Sequence, residues 1–234
     1  MINDMCARFS ITSPLDALKA LFDILPGNTF PVSYNIAPGT FIPIIRRKRG
    51  NQKPEMSLAL WNFIPAWKTE ISESKPLVNA RLETVTEKVT FQNAFRSRRC
   101  LIPCSGFYEW KTTAEGEKQP FYIYSKTSPF FFLAGIWEET SLLGKEAQPT
   151  SAVMTTAASS GLAAIHHRMP VTIKPEHIDR WLSGNDLSSV PDEHKQEVLS
   201  SHPVDRKVGN VRNNNADLIK EVPFDNRPRQ GSLF

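Results

Sequence analysis

Short strand-like runs, set close together and cut by turn residues, fill the middle of this chain, and no fold built on long helices accommodates them. Apolar or alternating runs at 100–102, 107–111, 121–124, 130–137 and 152–155 are separated by turn-rich segments. That is the pattern of antiparallel strands with short connections. Similar runs stand at 5–9, 41–45, 56–61, 171–173 and 204–211. Helical patterns are fewer. Ser13-Pro14-Leu15-Asp16 reads as a helix start, with an N-cap, Pro at N1 and an acid at N3. Leu15, Leu18, Leu21, Phe22 and Leu25 then give one apolar face, and Pro26-Gly27 ends it. The stretch 81–99 is read as helical, 161–165 as a helical turn, 175–182 as a helix and 216–222 as a last element. Strands and helices do not alternate regularly. The expected fold is α+β: a single domain of curved, mostly antiparallel β-sheet, barrel-like, with flanking helices.

The chain has 234 residues, 40% hydrophobic and 22% charged, enough to bury a substantial core. No apolar run approaches the ~18 residues of a membrane span, so no membrane partner is expected. MINDMCARF has neither the basic nor the apolar region of a signal peptide, and a cytoplasmic location is expected. The net charge of +4 mildly favours a polyanionic partner. The densest basic run, Arg46-Arg47-Lys48-Arg49, reads either as a solvated hairpin tip or as a nucleic-acid contact. Three cysteines are an odd count, which argues against a disulfide framework. Cys100 and Cys104 flank Pro103 without a second Cys/His pair, so they are read as buried thiols, and no metal or cofactor is expected. Cys6 is the unusual one, close to the chain start.

Five segments concentrate reactive or base-stacking groups: MCARF at 5–9, YNIAPGT at 34–40, VNARLET at 78–84, GFYEW at 106–110 and IHHRMP at 165–170. In this order, with HPV and VGNVRNN later in the chain, they resemble the SRAP family (SOS response-associated peptidase), whose members process abasic sites and crosslink to DNA through an N-terminal cysteine. The resemblance runs from Met5 to about Ile219. It implies Cys6 as nucleophile, Asn79 as the amide orienting amine and sugar, Glu109 as acid/base carboxylate and His166 as catalytic histidine. It further implies DNA contacts from Arg8, Asn35, Arg81 and Arg168, and places Pro65 and Trp67 in a segment that stacks on an exposed base. The implied partner is single-stranded DNA carrying abasic sites.

The chemistry is coherent on its own terms. A ring-opened abasic site presents an aldehyde. An α-amine forms a Schiff base with it, and the thiol of the same residue closes a five-membered thiazolidine. Only an N-terminal cysteine holds both nucleophiles on adjacent carbons. An α-amine with a reference pKa of ~7.8 is partly neutral at pH 7, unlike lysine at ~10.4.

Two departures stand out. Ala7 and Asn62 occupy positions where the family usually has Gly, so position 7 is expected to be extended and the turn at Asn62 to survive. More consequentially, Met1-Ile2-Asn3-Asp4-Met5 precedes Cys6. Residues 1–5 are therefore expected to be absent from the active protein, through a start at Met5 or self-cleavage of the Met5–Cys6 bond. The catalytic domain is expected over 6–222 and a polar tail over 223–234. That tail ends Gln230-Gly231-Ser232-Leu233-Phe234. It resembles peptides that bind bacterial sliding clamps, with Gln230, Leu233 and Phe234 as anchors. Two other readings stand beside the covalent trap: a self-processing thiol peptidase only, or a non-catalytic single-stranded nucleic-acid binder.

Overall fold

The computed structural model describes residues 6–14, 30–47, 53–70, 75–144, 146–184 and 199–224, with 186, 188 and 190. Its strands are β1 (Phe9–Ile11), β2 (Ser33–Ile36), β3 (Phe41–Arg46), β4 (Glu55–Trp61), β5 (Asn79–Arg81), β6 (Arg99–Cys104), β7 (Gly106–Thr112), β8 (Lys118–Ser125), β9 (Phe131–Thr140), β10 (Gln148–Ala157), β11 (Arg168–Pro170), β12 (Thr172–Ile173) and β13 (Leu199–Pro203). Two α-helices accompany them, α1 (Val89–Ser97) and α2 (Ile178–Ser183). The α+β, mostly antiparallel expectation holds. Among the described residues no helix is long and apolar enough to cross a membrane.

Two sheets form. In the larger, β4, β3, β6 and β9 follow one another and β10 pairs with both ends of the run, closing a five-stranded barrel. The closure is parallel, Thr150 opposite Leu60 and Ser151 opposite Trp61. The seam β10–β9 is antiparallel, Ala152 opposite Ile136. Closing the sheet removes the edges that would otherwise invite pairing with other chains. Burial follows: Ile42, Ile44 and Ile45 of β3 and Leu101 and Ile102 of β6 have no solvent exposure. The smaller sheet runs β13-β8-β7-β1-β2. Phe9 of β1 meets Trp61 of β4 edge-on at 5.2 Å, so the two sheets share one core. The helices lie against the barrel wall: Phe95 of α1 packs on Trp181 of α2, and the Trp181 indole N–H donates to the Cys100 carbonyl at 2.8 Å.

Several element expectations change. The helical pattern over 81–99 splits into a 3₁₀ turn, Leu82–Thr84, and α1, because Lys88 is extended. The strand expected over 204–211 is instead a bridge at Val204 and a 3₁₀ helix, Arg206–Gly209, capped by the Asp205 carboxylate accepting from Lys207 N–H. Val204 and Val208 are buried, but against Tyr108, Tyr122 and Leu218 rather than in a ladder, and Val211 is exposed. The first strand begins at Phe9, not before it. The helix expected at 13–25 falls largely outside the described residues, as do Lys48 and Arg49 and the C-terminal motif. Arg46 and Arg47 are not a solvated tip. Arg46 is buried over the Trp137 ring and faces Glu55 and Glu139, and Arg47 bonds Asp179 and Ser183 of α2. Cys100 and Cys104 are buried free thiols, as expected, and burial pushes both pKa values up.

Candidate active site around Cys6

The site lies where β1, β7 and the β10–β11 connection meet. β1 runs antiparallel to β7, with Phe9 opposite Phe107 and Ser10 opposite Gly106. The Tyr108 N–H donates to the Arg8 carbonyl at 2.9 Å, continuing that pairing toward the chain start. Cys6 is thereby led past Glu109, and its N–H donates to Glu109 Oε1 at 2.8 Å. Both residues are buried, at 4% exposure each. His166 comes from the loop between β10 and β11, and its Nδ1 stands 3.8 Å from Glu109 Oε2. A backbone nitrogen and an imidazole thus approach the two oxygens of one buried carboxyl.

The electrostatics follow from that burial. Desolvation raises the Glu109 pKa, partly opposed by His166 and by the bonds from Cys6. The Cys6 thiol is raised well above its ordinary value, first by burial and then by Glu109; Arg168 works in the opposite direction. The thiol is therefore held protonated. His166 Nδ1 lies 3.1 Å from the Arg168 N–H and 3.2 Å from the Arg168 carbonyl, so the backbone of Arg168 holds the ring in place beside Glu109.

The remaining expected residues occupy different settings. Arg8 is half-buried. One of its Nη atoms donates to Asn35 Oδ1 and to the Val208 carbonyl, 2.7 Å in each case, and its guanidinium lies 5.9 Å over Trp110. Asn35 is buried, and its amide donates to the carbonyls of Val208, Asn210 and Asn213. Both are committed to the segment after β13. Asn79 opens β5, opposite Val153 of β10, and Arg81 ends it, exposed, opposite Thr155. Pro65 is buried, its carbonyl accepting from Lys68 N–H at 3.0 Å. Trp67 stands out at 63% exposure. Asn62 supports its turn through a side-chain oxygen that accepts from Leu77 N–H at 3.0 Å, a contact glycine lacks.

One residue of the neighbourhood was not singled out in the sequence. Glu83 accepts both Nη groups of Arg168, at 2.6 and 2.8 Å. The ion pair pulls its carboxyl down to about 2. Its place in NARLET was visible. Its partner, 85 residues away, was not signalled by any local pattern.

Residues 5–211 match the family described as SOS response associated peptidase (SRAP). The chain is 32% identical to the Abasic site processing protein YoaM of Bacillus subtilis, covering 92% of this chain and 97% of that protein. It is 32% identical to the Abasic site processing protein YedK of Escherichia coli, covering 93% and 100%, and 31% identical to the Abasic site processing protein HMCES of Xenopus tropicalis, covering 93% and 78%. A crystal structure of a Bacteroides thetaiotaomicron protein shares the fold, with a TM-score of 0.77 at 22% identity over 93% of this chain and 100% of that one. With the family match spanning most of its length and its chain entry held against Glu109 and His166, this chain belongs to the SRAP family.

Proposed function

We propose that this protein captures abasic sites in single-stranded DNA as a covalent adduct on Cys6, once Cys6 is the first residue of the chain. The observation that carries this reading is the 2.8 Å contact between Cys6 N and Glu109 Oε1, with His166 against the other oxygen. In the shortened chain that nitrogen is the α-amine. It attacks the aldehyde carbon and the carbinolamine loses water, the departing hydroxyl taking a proton from Glu109. The Cys6 sulfur then adds across the resulting C=N bond, its proton passing to the nitrogen by way of Glu109. Aldehyde, amine and thiol become thiazolidine and one water. A carboxyl whose pKa is raised by burial suits the proton donation of the dehydration step. A thiol kept protonated by burial reacts poorly with peptide bonds in trans, which disfavours the reading as a peptidase only.

Exposed Arg81 and the fixed guanidinium of Arg168 suit the phosphate backbone, and exposed Trp67 suits stacking on an unpaired base. Half-buried Arg8 and buried Asn35 brace the site through the segment after β13, Pro65 leads into the Trp67 segment, and Asn79 at the start of β5 is proposed to orient amine and sugar. In the longer chain the same Cys6 nitrogen belongs to the Met5–Cys6 bond. Its contact with a proton-donating Glu109 favours self-cleavage there: the Cys6 thiol takes the Met5 acyl group, the nitrogen leaves with a proton from Glu109, and water releases residues 1–5. The tail motif Gln230, Leu233 and Phe234 is proposed to dock on a sliding clamp, bringing the domain to replicating DNA.

The test is a denaturing gel of the purified protein with uracil-glycosylase-treated single-stranded DNA. A covalent band lost in Cys6→Ala is expected, together with an intact mass that begins at Cys6. Salt-sensitive binding without any covalent band, or full activity in protein that retains residues 1–5, would overturn the reading.

A further inference from the structure

The loop that carries His166 is closed at its neck by a short antiparallel pairing. Thr155 faces Pro170, Thr156 faces Met169 and Ala157 faces Arg168, and the Ala158 N–H donates to the His167 carbonyl at 2.9 Å. Glu83 grips both sides of this neck. Its Oε1 accepts from Ala157 N–H at 3.2 Å, from Thr156 Oγ1 at 3.3 Å and from Arg168 Nη1 at 2.6 Å. Its Oε2 accepts from Arg168 Nη2 at 2.8 Å. The same Nη2 donates to the Thr155 carbonyl at 2.9 Å, so the guanidinium is bound to the opposite strand as well. Arg168 in turn presents its N–H to His166 Nδ1, the nitrogen nearest Glu109.

We infer that Glu83 is a positioning residue for His166, acting through Arg168. The inference rests on the proposed function for its catalytic meaning, but its geometry stands on the free protein. With the clip closed, the Arg168 N–H and carbonyl, at 3.1 and 3.2 Å, hold Nδ1 toward Glu109 and fix one ring orientation and one tautomer. With the clip open, Arg168 is free to turn, the neck frays, and both the ring orientation and the tautomer become mixed. Arg168 thereby has two duties: its side chain ties Glu83 to the Thr155 carbonyl, and its backbone sets the imidazole.

Two variants of the full chain test this, Glu83→Ala and Glu83→Gln. The Gln variant keeps an acceptor for the Ala157 N–H while losing the ion pair, so it carries the test if the Ala variant does not fold. The first readout is the pair of ring-nitrogen shifts of His166 in the DNA-free protein, assigned against His166→Ala. Wild type is expected to show a single tautomer in its neutral form, and the variants a mixture, larger in Ala than in Gln. The second is the single-turnover rate of adduct formation at saturating abasic single-stranded DNA. It is expected to fall about tenfold in Glu83→Ala, a fraction of the ~10²-fold that general acid–base groups supply, while DNA affinity falls less than the rate. An unchanged tautomer in both variants would overturn the inference, as would a rate that falls only as affinity falls. A wild-type protein that forms no adduct overturns the proposed function instead, and leaves the tautomer measurement to decide on Glu83.

Discussion

At the scale of single residues, the proposed function turns on one carboxyl. Burial raises the Glu109 pKa, so its acid form persists to higher pH than that of a solvated carboxylate. The α-amine of Cys6 must be neutral to attack, with a reference pKa of ~7.8. The adduct rate is therefore expected to rise as the amine deprotonates and to fall as Glu109 loses its proton, giving a bell. Glu109→Gln removes the limb that belongs to the carboxyl and lowers the maximum by about 10²-fold, while DNA affinity changes little. Single-turnover rates across about pH 5 to 9, bracketing that amine value, check this; a Gln variant that keeps the wild-type bell assigns the limb to another group. The roles proposed for Cys6, Glu109 and His166 come from motif order, and the structure brings the three residues together. What sequence withheld was the second layer. Arg168 was read as a DNA contact, and only the fold shows it clasped by Glu83.

At the scale of elements, the strands of the barrel were legible because each carries a dense apolar run bounded by turns. Those of β3, β4 and β6 to β10 fall within a few residues of expectation. β13, Leu199–Pro203, was not legible: its sequence LSSHP is polar and ends in proline, and it forms because β8 offers an edge from Phe121 to Ser125. Its neighbour 204–211 looked like a strand since valine suits both a ladder and a buried 3₁₀ turn. One glycine is demanded by close packing in this sheet. A Cβ on Gly106 would lie 2.2 Å from the Tyr122 ring, and that ring is fixed by its hydroxyl against Ser10 Oγ at 2.9 Å and by stacking on Tyr124. Gly106→Ala is therefore expected to destabilise the protein by about 1–3 kcal/mol, read as an earlier midpoint in urea. Gly106 sits opposite Ser10 on the strand pair that leads Cys6 to Glu109, so adduct formation should slow as well. An unaltered midpoint would mean that the Tyr122 ring moves aside freely.

At the scale of the whole molecule, the last described segment returns across the sheet that holds the chain start. β13 adds to β8, Val204, Val208 and Leu218 are buried over Tyr108 and Tyr122, and the Val208 carbonyl accepts from Arg8, two residues after Cys6. Asn214 Oδ1 accepts from Tyr34 N–H at 2.7 Å, and Phe224 meets Phe121 edge-on at 5.4 Å. The segment thus works as a strap that locks the nucleophile's strand from outside. Truncation should separate two roles. Ending the chain after residue 229 removes the proposed anchors Gln230, Leu233 and Phe234 and is expected to abolish binding to a sliding clamp. Ending it after residue 198 strips the edge of β8 and exposes the Tyr108–Tyr122 cluster. That loss of buried apolar area amounts to several side chains at roughly 1.5–3 kcal/mol each, comparable to the whole ~5–15 kcal/mol of a folded domain. The shorter protein is expected to lose cooperative unfolding and adduct formation together. If it instead melts like wild type, the strap is dispensable and the position of Cys6 is set by β7 alone.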